Sequence, residues 1–360
     1  MSLTQPKRIL IIKLRHHGDV LLSTPVVDAL KTHFPDCEID MLVYAGTGQL
    51  IADNPQIAQI FTIDRNWKKL GVFKQLACEK NLFSKLKARD YDWAFNLSDQ
   101  WRAAVIAKLC ARCSVGFDCI KRDGFWWRFC HDFINHELDP SHHIVENQLN
   151  ILAPLIQPED VADAKVRLWV AQDARESMRQ KLREQGWNGE DYVLMHPGAR
   201  WHFKCWEDGK NAAIVQLLLN SGQNVVLTAS PDTVEQYMLQ EIIGRLNIPE
   251  GRKVYVLSGC LSLRELAAAI EGAKLFVGVD SAPMHIAAAL DKPQIALFGA
   301  SWVDKWRPYS EQAEVIYAGD YAELPHPDSI DTNDPTRLLK AIPLQDVWDR
   351  ISAKLEALEA

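Results

Sequence analysis

Short apolar runs alternate along this chain with longer segments whose apolar positions recur every three to four residues. Arg8–Leu14 (RILIIKL), Glu38–Tyr44, Ile57–Ile63 and Trp93–Leu97 read as strands in the first half. Tyr192–Met195, Val225–Thr228, Val254–Leu257, Leu275–Val279 and Gln294–Phe298 read as strands in the second. Helical spacing fills Val20–Phe34, Asp173–Gly186, Asn211–Asn220, Thr233–Leu246 and Leu263–Ile270. In the first of these, Thr24 and Pro25 either begin the helix or kink one already running from Asp19. Strand–helix alternation in both halves predicts an α/β protein with two parallel sheets, each covered on both faces. The polar stretch Leu155–Lys165, which contains Pro158, marks the expected boundary, giving domains 1–165 and 166–340. Residues Leu344, Val347, Ile351, Leu355 and Leu358 form the stripe of an amphipathic terminal helix.

The stretch Leu275–Gly299 (LFVGVDSAPMHIAAALDKPQIALFG) is one βαβ unit. It places Asp280, Ser281 and a helix amino terminus begun by Pro283 at a strand's carboxyl end. Ligands bind there in open α/β sheets, and helix N–H groups suit a diphosphate. The plainer alternative is that Asp280 only caps the helix. Gly18-Asp19 and the stretch His196–Lys204 fall at other expected strand ends.

A net charge of −7 argues against a nucleic-acid partner. No apolar run approaches the length of a membrane span. The apolar run before Arg15 is too short for a signal-peptide core, so the expected compartment is the cytoplasm, with the eight cysteines reduced. Cys110-Ala-Arg-Cys113, with Cys119 and Cys130-His131 nearby, reads as buried thiols rather than a metal site, because Cys110 falls on an apolar helix face and no second C-x-x-C pair follows. Asp90-Tyr-Asp92 has the form of a metal-binding D-x-D but precedes its strand, at the wrong end of the sheet. Gly46-Thr-Gly48 begins a dinucleotide fingerprint that Ile51 breaks. Lys121–Phe129 (KRDGFWWRF) either packs its aromatics on the domain or offers a surface to an amphiphilic, phosphorylated acceptor.

Gly18-Asp-Val-Leu-Leu-Ser-Thr-Pro25 resembles the G-D-x-x-x-x-T-P of the lipopolysaccharide heptosyltransferases (glycosyltransferase family 9). So do Pro197-Gly-Ala-Arg200 with Lys204-Cys-Trp206, Ser258-Gly259 with Leu261–Leu266, and Gly278–Ala289, in that order over nearly the whole chain. Phe203–Trp206, Asp99-Gln-Trp101 and Phe298-Gly-Ala300 are most similar to the branch that adds the third heptose of the inner core. Ser281-Ala282 stands where many relatives have Thr-Gly.

The resemblance implies a GT-B fold, two Rossmann-like doubly wound domains facing across a cleft, with acceptor on the first and donor on the second. It also implies that the terminal helix crosses back to the first domain. The implied reaction is an inverting, metal-independent transfer from ADP-L-glycero-β-D-manno-heptose onto heptose II, with no cofactor. Asp19 is the implied base. Lys204 would meet the diphosphate and sugar, and Asp280 the heptose hydroxyls. Ser281, Ala282 and Met284 would line the phosphate site and His285 support it. Gly18, Thr24 and Arg200 would contact phosphate or position the chain. Asp232 and Glu235 are rival candidates for the ribose. The implied acceptor, a lipid A–inner core, places the protein at the cytoplasmic face of the inner membrane. A different acceptor, a nicotinamide-dependent oxidoreductase and a sugar-binding module without turnover are the alternatives.

Overall fold

The computed structural model describes residues 5–118, 122, 124–135, 139, 141–157, 161, 163–332 and 334–359. Cys119, Lys121, Asp123 and Pro158, named above, lie outside these residues. The chain forms two compact units, Met1–Trp169 and Val170–Ala360, against an expected boundary after residue 165. The chain to Arg167 stays with the first unit because Asp28 accepts from the Lys165 N–H (3.2 Å) and the Arg167 guanidinium (2.7 Å).

In the first unit the elements run β1 (Arg8–Lys13), α1 (His17–Leu21), α2 (Thr24–His33), β2 (Glu38–Tyr44), β3 (Gln59–Ile63), α3 (Val72–Ala88), β4 (Tyr91–Asn96), α4 (Trp101–Cys110), β5 (Ala111–Phe117), α5 (Phe125–Phe129), β6 (Phe133–Asn135) and α6 (Ile144–Asn150). The parallel sheet has the order β3-β2-β1-β4-β5-β6. Ile9 to Ile12 of β1 are fully buried, the continuous apolar run of a strand covered on both faces. Pro25 lies in the first turn of α2, and Asp19 belongs to the separate short helix α1. Of the two alternatives, Thr24 and Pro25 beginning the helix holds, and no helix running from Asp19 is kinked by Pro25.

The second unit runs α7 (Gln172–Arg183), β7 (Tyr192–His196), α8 (Asp208–Asn220), β8 (Asn224–Ala229), α9 (Thr233–Ile243), β9 (Val254–Ser258), α10 (Leu263–Gly272), β10 (Leu275–Val279), α11 (Ala282–Ala289), β11 (Gln294–Phe298), α12 (Val303–Trp306), β12 (Ala313–Tyr317) and α13 (Leu344–Glu359). Its order, β12-β11-β10-β7-β8-β9, is the first sheet's order read from the other edge. Each unit is therefore doubly wound, with the chain reversing direction between its two central strands. Such reversals open a crevice at the strand carboxyl ends. The reversals fall at β1/β4 and at β7/β10.

Helix α13 packs on the second unit. Val347, Ile351 and Leu355 are buried in one cluster with Ile214, Leu218 and Leu219 of α8. Lys274 and Glu359 pair at 3.0 Å near its end. The expected stripe is present, and its apolar mate is α8.

Candidate active site

Strands β7 and β10 pair in parallel with Gly278 opposite His196, so the loops that follow them are neighbours. From the first loop, a 3₁₀ turn over His202–Lys204 sends Lys204 across to Asp280 at the end of β10, Nζ to Oδ2 2.5 Å. Both side chains are largely withdrawn from solvent, at 16% and 7% exposure. Lys204 also sits 5.1 Å from the centroid of the Trp201 ring, which stacks on Phe203. Ser281 is the N-cap of α11 but makes no capping bond, and its buried Oγ has no hydrogen-bond partner among the described residues. An unsatisfied buried hydroxyl costs about 1–3 kcal/mol. Ala282 adds an N–H that the helix ladder leaves unused, while Pro283 has none. Asp280 is thus a partner for Lys204 rather than a cap.

The floor of this site is close-packed. A Cβ on Gly278 would fall 2.7 Å from the Phe276 ring. Met284 and His285 are buried within α11, while Arg200 is exposed on the loop after β7. Gln294, with its amide turned to match its neighbours, donates to the Met284 carbonyl (3.2 Å) and accepts from the Ala288 N–H (3.0 Å). His196 is bonded to the Thr228 hydroxyl at 2.8 Å. Burial lowers its pKa, and the Glu235 carboxylate 3.8 Å away opposes that only in part. Glu235 also accepts the Ser230 N–H (2.9 Å) and lies where a Cβ on Gly198 would be. Of the two ribose candidates it is therefore an interior brace, and Asp232, the exposed N-cap of α9, is the solvent-facing one.

Sequence reasoning missed Arg337. It donates to His202 (2.9 Å), the Trp206 carbonyl (2.8 Å) and Asp208 (2.5 Å), fastening the loop that carries Lys204. Burial and then the Arg337 charge lower the His202 pKa, which keeps that ring an acceptor. The long separation in sequence leaves no local signal for this brace.

At the other reversal, β1 ends at Lys13 and Leu14-Arg15-His16 leads into α1. Gly18 and Asp19 sit in that helix's first turn, and Asp19 is half-buried, with no hydrogen bond or ion pair among the described residues. A cavity of about 240 Å³ opens beside this loop, lined by Arg15, His16, Tyr44, Arg65, Lys68 and Arg102 among others. Arg15 pairs with Asp99 (2.9 Å) and Arg102 with Glu79, while Arg65 lies 4.1 Å over the Tyr44 ring. Lys68 has no carboxylate partner among the described residues, so the cavity is cationic. Basic residues just beyond the expected strand ends were the available signal. Thr24 is fully buried, donating to the Leu21 carbonyl (2.9 Å) and accepting the Arg167 N–H (3.0 Å). Of phosphate contact and positioning, its bonding leaves positioning.

Behind this loop a buried polar chain fixes the ends of β1 and β4. The Leu14 N–H donates to Ser98 Oγ (2.6 Å), the Ser98 N–H to Asn96 Oδ1 (3.0 Å), and Asn96 meets His131 at 3.1 Å. His131 also bonds the Trp127 carbonyl at 3.0 Å, and its burial lowers its pKa. A Cβ on Gly116 would fall 2.4 Å from that ring. Gly116→Val is expected to destabilise the protein by about 1–3 kcal/mol through this overpacking. Urea titration would show it, and an unchanged midpoint would remove the ring from its bracing role.

The remaining sequence candidates fall elsewhere. Asp90 and Asp92 lie at the amino end of β4, paired with Arg112 at 2.6 and 3.2 Å. Gly46-Thr-Gly48 follows β2 and enters a 3₁₀ turn over Thr47–Ile51 that packs against α1. Cys110 and Cys113 are free thiols, pushed by burial up to about 11. Among the described residues no group of three His, Cys, Asp or Glu is arranged to hold a metal ion. Of the aromatics of α5, Trp127 is buried and Phe125, Trp126 and Phe129 stand exposed.

Two Rossmann-type doubly wound units, each with its reversal at the strand carboxyl ends, give this chain the GT-B class of fold. Residues 80–336 match the sequence model of glycosyltransferase family 9 (heptosyltransferase). The chain is 37% identical over 335 residues to lipopolysaccharide heptosyltransferase 3 of Escherichia coli, covering 93% of this chain and 95% of that one. It belongs to glycosyltransferase family 9. Its fold is similar to that of the family 9 glycosyltransferase of Veillonella parvula (TM-score 0.83, 21% identity, 99% of each chain). It is similar too to that of the Escherichia coli heptosyltransferase WaaC solved with ADP (TM-score 0.72, 19% identity, 96% of this chain and 99% of that one).

Proposed function

We propose that this chain is an inverting transferase that moves L-glycero-D-manno-heptose from ADP-heptose to heptose II of the lipopolysaccharide inner core. The first unit takes the acceptor and the second the donor. The observation that carries the donor half is the convergence of the Lys204 ammonium, the unpartnered Ser281 hydroxyl and the amino end of α11. Together they suit a diphosphate. The ADP complex of WaaC supports a nucleotide donor, and likeness to heptosyltransferase 3 supports the third heptose.

In this reading Asp19 takes the proton of the acceptor hydroxyl as its oxygen attacks the anomeric carbon. The bond from that carbon to the diphosphate oxygen breaks, and ADP leaves with the electron pair. One displacement inverts the configuration and needs no enzyme nucleophile. Lys204 and the α11 N–H groups carry the charge growing on the diphosphate, which is the role a metal would otherwise fill. Asp280 holds heptose hydroxyls and keeps Lys204 aimed. The cationic cavity beside Asp19 suits anionic groups of the acceptor. No helix among the described residues is long and apolar enough to cross a membrane, and an acceptor anchored by lipid A would be met at the cytoplasmic face of the inner membrane.

Acceptors carrying one, two or three core heptoses, each incubated with ADP-heptose, test the reading by mass spectrometry. Addition of one heptosyl unit to the two-heptose acceptor alone is expected. Preference for the one-heptose acceptor would move the chain to an earlier step. An oxidoreductase reading would require tight NAD binding instead, and Ile51 stands where the third glycine of its fingerprint would be.

A further inference from the structure

The first unit turns apolar side chains to solvent that its core does not use. Of the sixteen large hydrophobic residues exposed among the described residues, eleven lie between Leu70 and Phe133. Gly71, at φ 77°, starts α3, and the first turn of that helix presents Val72, Phe73 and Leu76 at 78%, 90% and 64% exposure. Further along the same helix, Leu82 and Leu86 are buried in the core. Helix α4 continues the surface, with Trp101, Val105 and Leu109 half-exposed at four-residue spacing. It is tied to α3 by the Arg102–Glu79 pair and to α5 by Trp101 against Trp127 at 5.6 Å. On α5 the exposed rings of Phe125, Trp126 and Phe129 rest on one another.

Charge selects the occupant. Between residues 65 and 87 there are seven lysines and arginines and one carboxylate, Glu79, in a chain of net charge −7. Lys68, Lys69 and Lys74 flank the exposed first turn of α3, and none has a carboxylate partner among the described residues. Protein–protein interfaces are depleted of lysine. The headgroup region of a bilayer takes aromatic rings and long cationic side chains at one level, and an anionic leaflet attracts the lysines. We infer that the α3–α4–α5 layer docks on an anionic lipid surface, with Phe73 and Trp126 entering the headgroup region. Arg65 and Lys68 belong both to this surface and to the cavity beside Asp19, so docking would bring a lipid-anchored acceptor to that cavity. This use of the surface rests on the acceptor proposed above, whereas docking itself does not.

The test is co-sedimentation of the whole chain with vesicles of phosphatidylcholine alone or with phosphatidylglycerol. It compares wild type with Phe73→Ser/Leu76→Ser and with Trp126→Ser, alongside transfer to a vesicle-embedded acceptor and to a deacylated soluble one. Wild type is expected to pellet with the anionic vesicles and to be released by salt. Each variant is expected to partition roughly tenfold less with an unchanged Tm, to lose activity on the embedded acceptor by a similar factor, and to keep its rate on the soluble one. Equal pelleting of wild type and variants would overturn the docking surface. So would a wild-type dimer that the variants convert to monomers without any change in vesicle binding, since the layer would then cover a second copy. Intact pelleting with no transfer to either acceptor would leave the docking surface standing and sink the acceptor reading.

Discussion

Asp19→Asn is expected to slow heptose transfer by roughly 10²- to 10⁴-fold, the usual contribution of a general base, while ADP-heptose binds almost as before. The expectation follows from where the residue sits. Asp19 stands in the first turn of α1, at the β1/β4 reversal of the first unit, with no hydrogen bond or ion pair among the described residues. Its removal breaks no bond of the fold, so a loss of rate reports chemistry. The donor groups belong to the other unit and keep their geometry. Single-turnover kinetics with donor titration separates the two quantities. A variant with near-normal turnover would exclude Asp19 as the base, and one that lost donor affinity in step with rate would place it among the donor contacts.

Lys204→Ala is expected to weaken ADP-heptose binding by about 10- to 100-fold, the worth of one charge-assisted hydrogen bond, and to slow transfer as well. Two effects are joined in this variant. It removes the cation aimed at the diphosphate, and it leaves the Asp280 carboxylate, 7% exposed, without its partner. Stripping one member of a withdrawn ion pair destabilises a protein more than removing both. Lys204→Ala/Asp280→Ala is therefore expected to recover stability and to leave donor binding as weak or weaker. Calorimetric titration beside thermal unfolding distinguishes the cases. Donor affinity restored in the double variant would mean that Lys204 serves only to neutralise Asp280.

The central scaffold was readable because strands buried on both faces are nearly pure apolar runs. RILIIKL and LFVGV leave no other reading, and Asp280 followed by Pro283 marks a helix start at a strand end. Strand β5 (ARCSVGF) escaped notice because Arg112, Ser114 and Gly116 interrupt its apolar run, and Gly116 is there to clear the His131 ring. Strands β6 and β12 lie on sheet edges, where burial demands less of the sequence. The Lys204–Asp280 contact joins residues 76 apart and depends on β7 and β10 being neighbours, a fact of topology. For the same reason Thr24 was legible as a motif residue but not as the anchor of Arg167. The terminal helix showed its stripe plainly, yet a stripe says only that a partner exists, and here the partner is α8.

The most direct measurement is the configuration of the product. Transfer from ADP-L-glycero-β-D-manno-heptose to the two-heptose core acceptor in the presence of EDTA, followed by NMR of the new anomeric centre, tests donor, metal independence and single displacement together. The account predicts an α-linked heptose formed at an undiminished rate. A β-linked product would require two displacements and a nucleophile on the enzyme, and loss of transfer in EDTA would give the diphosphate charge to a metal rather than to Lys204 and α11.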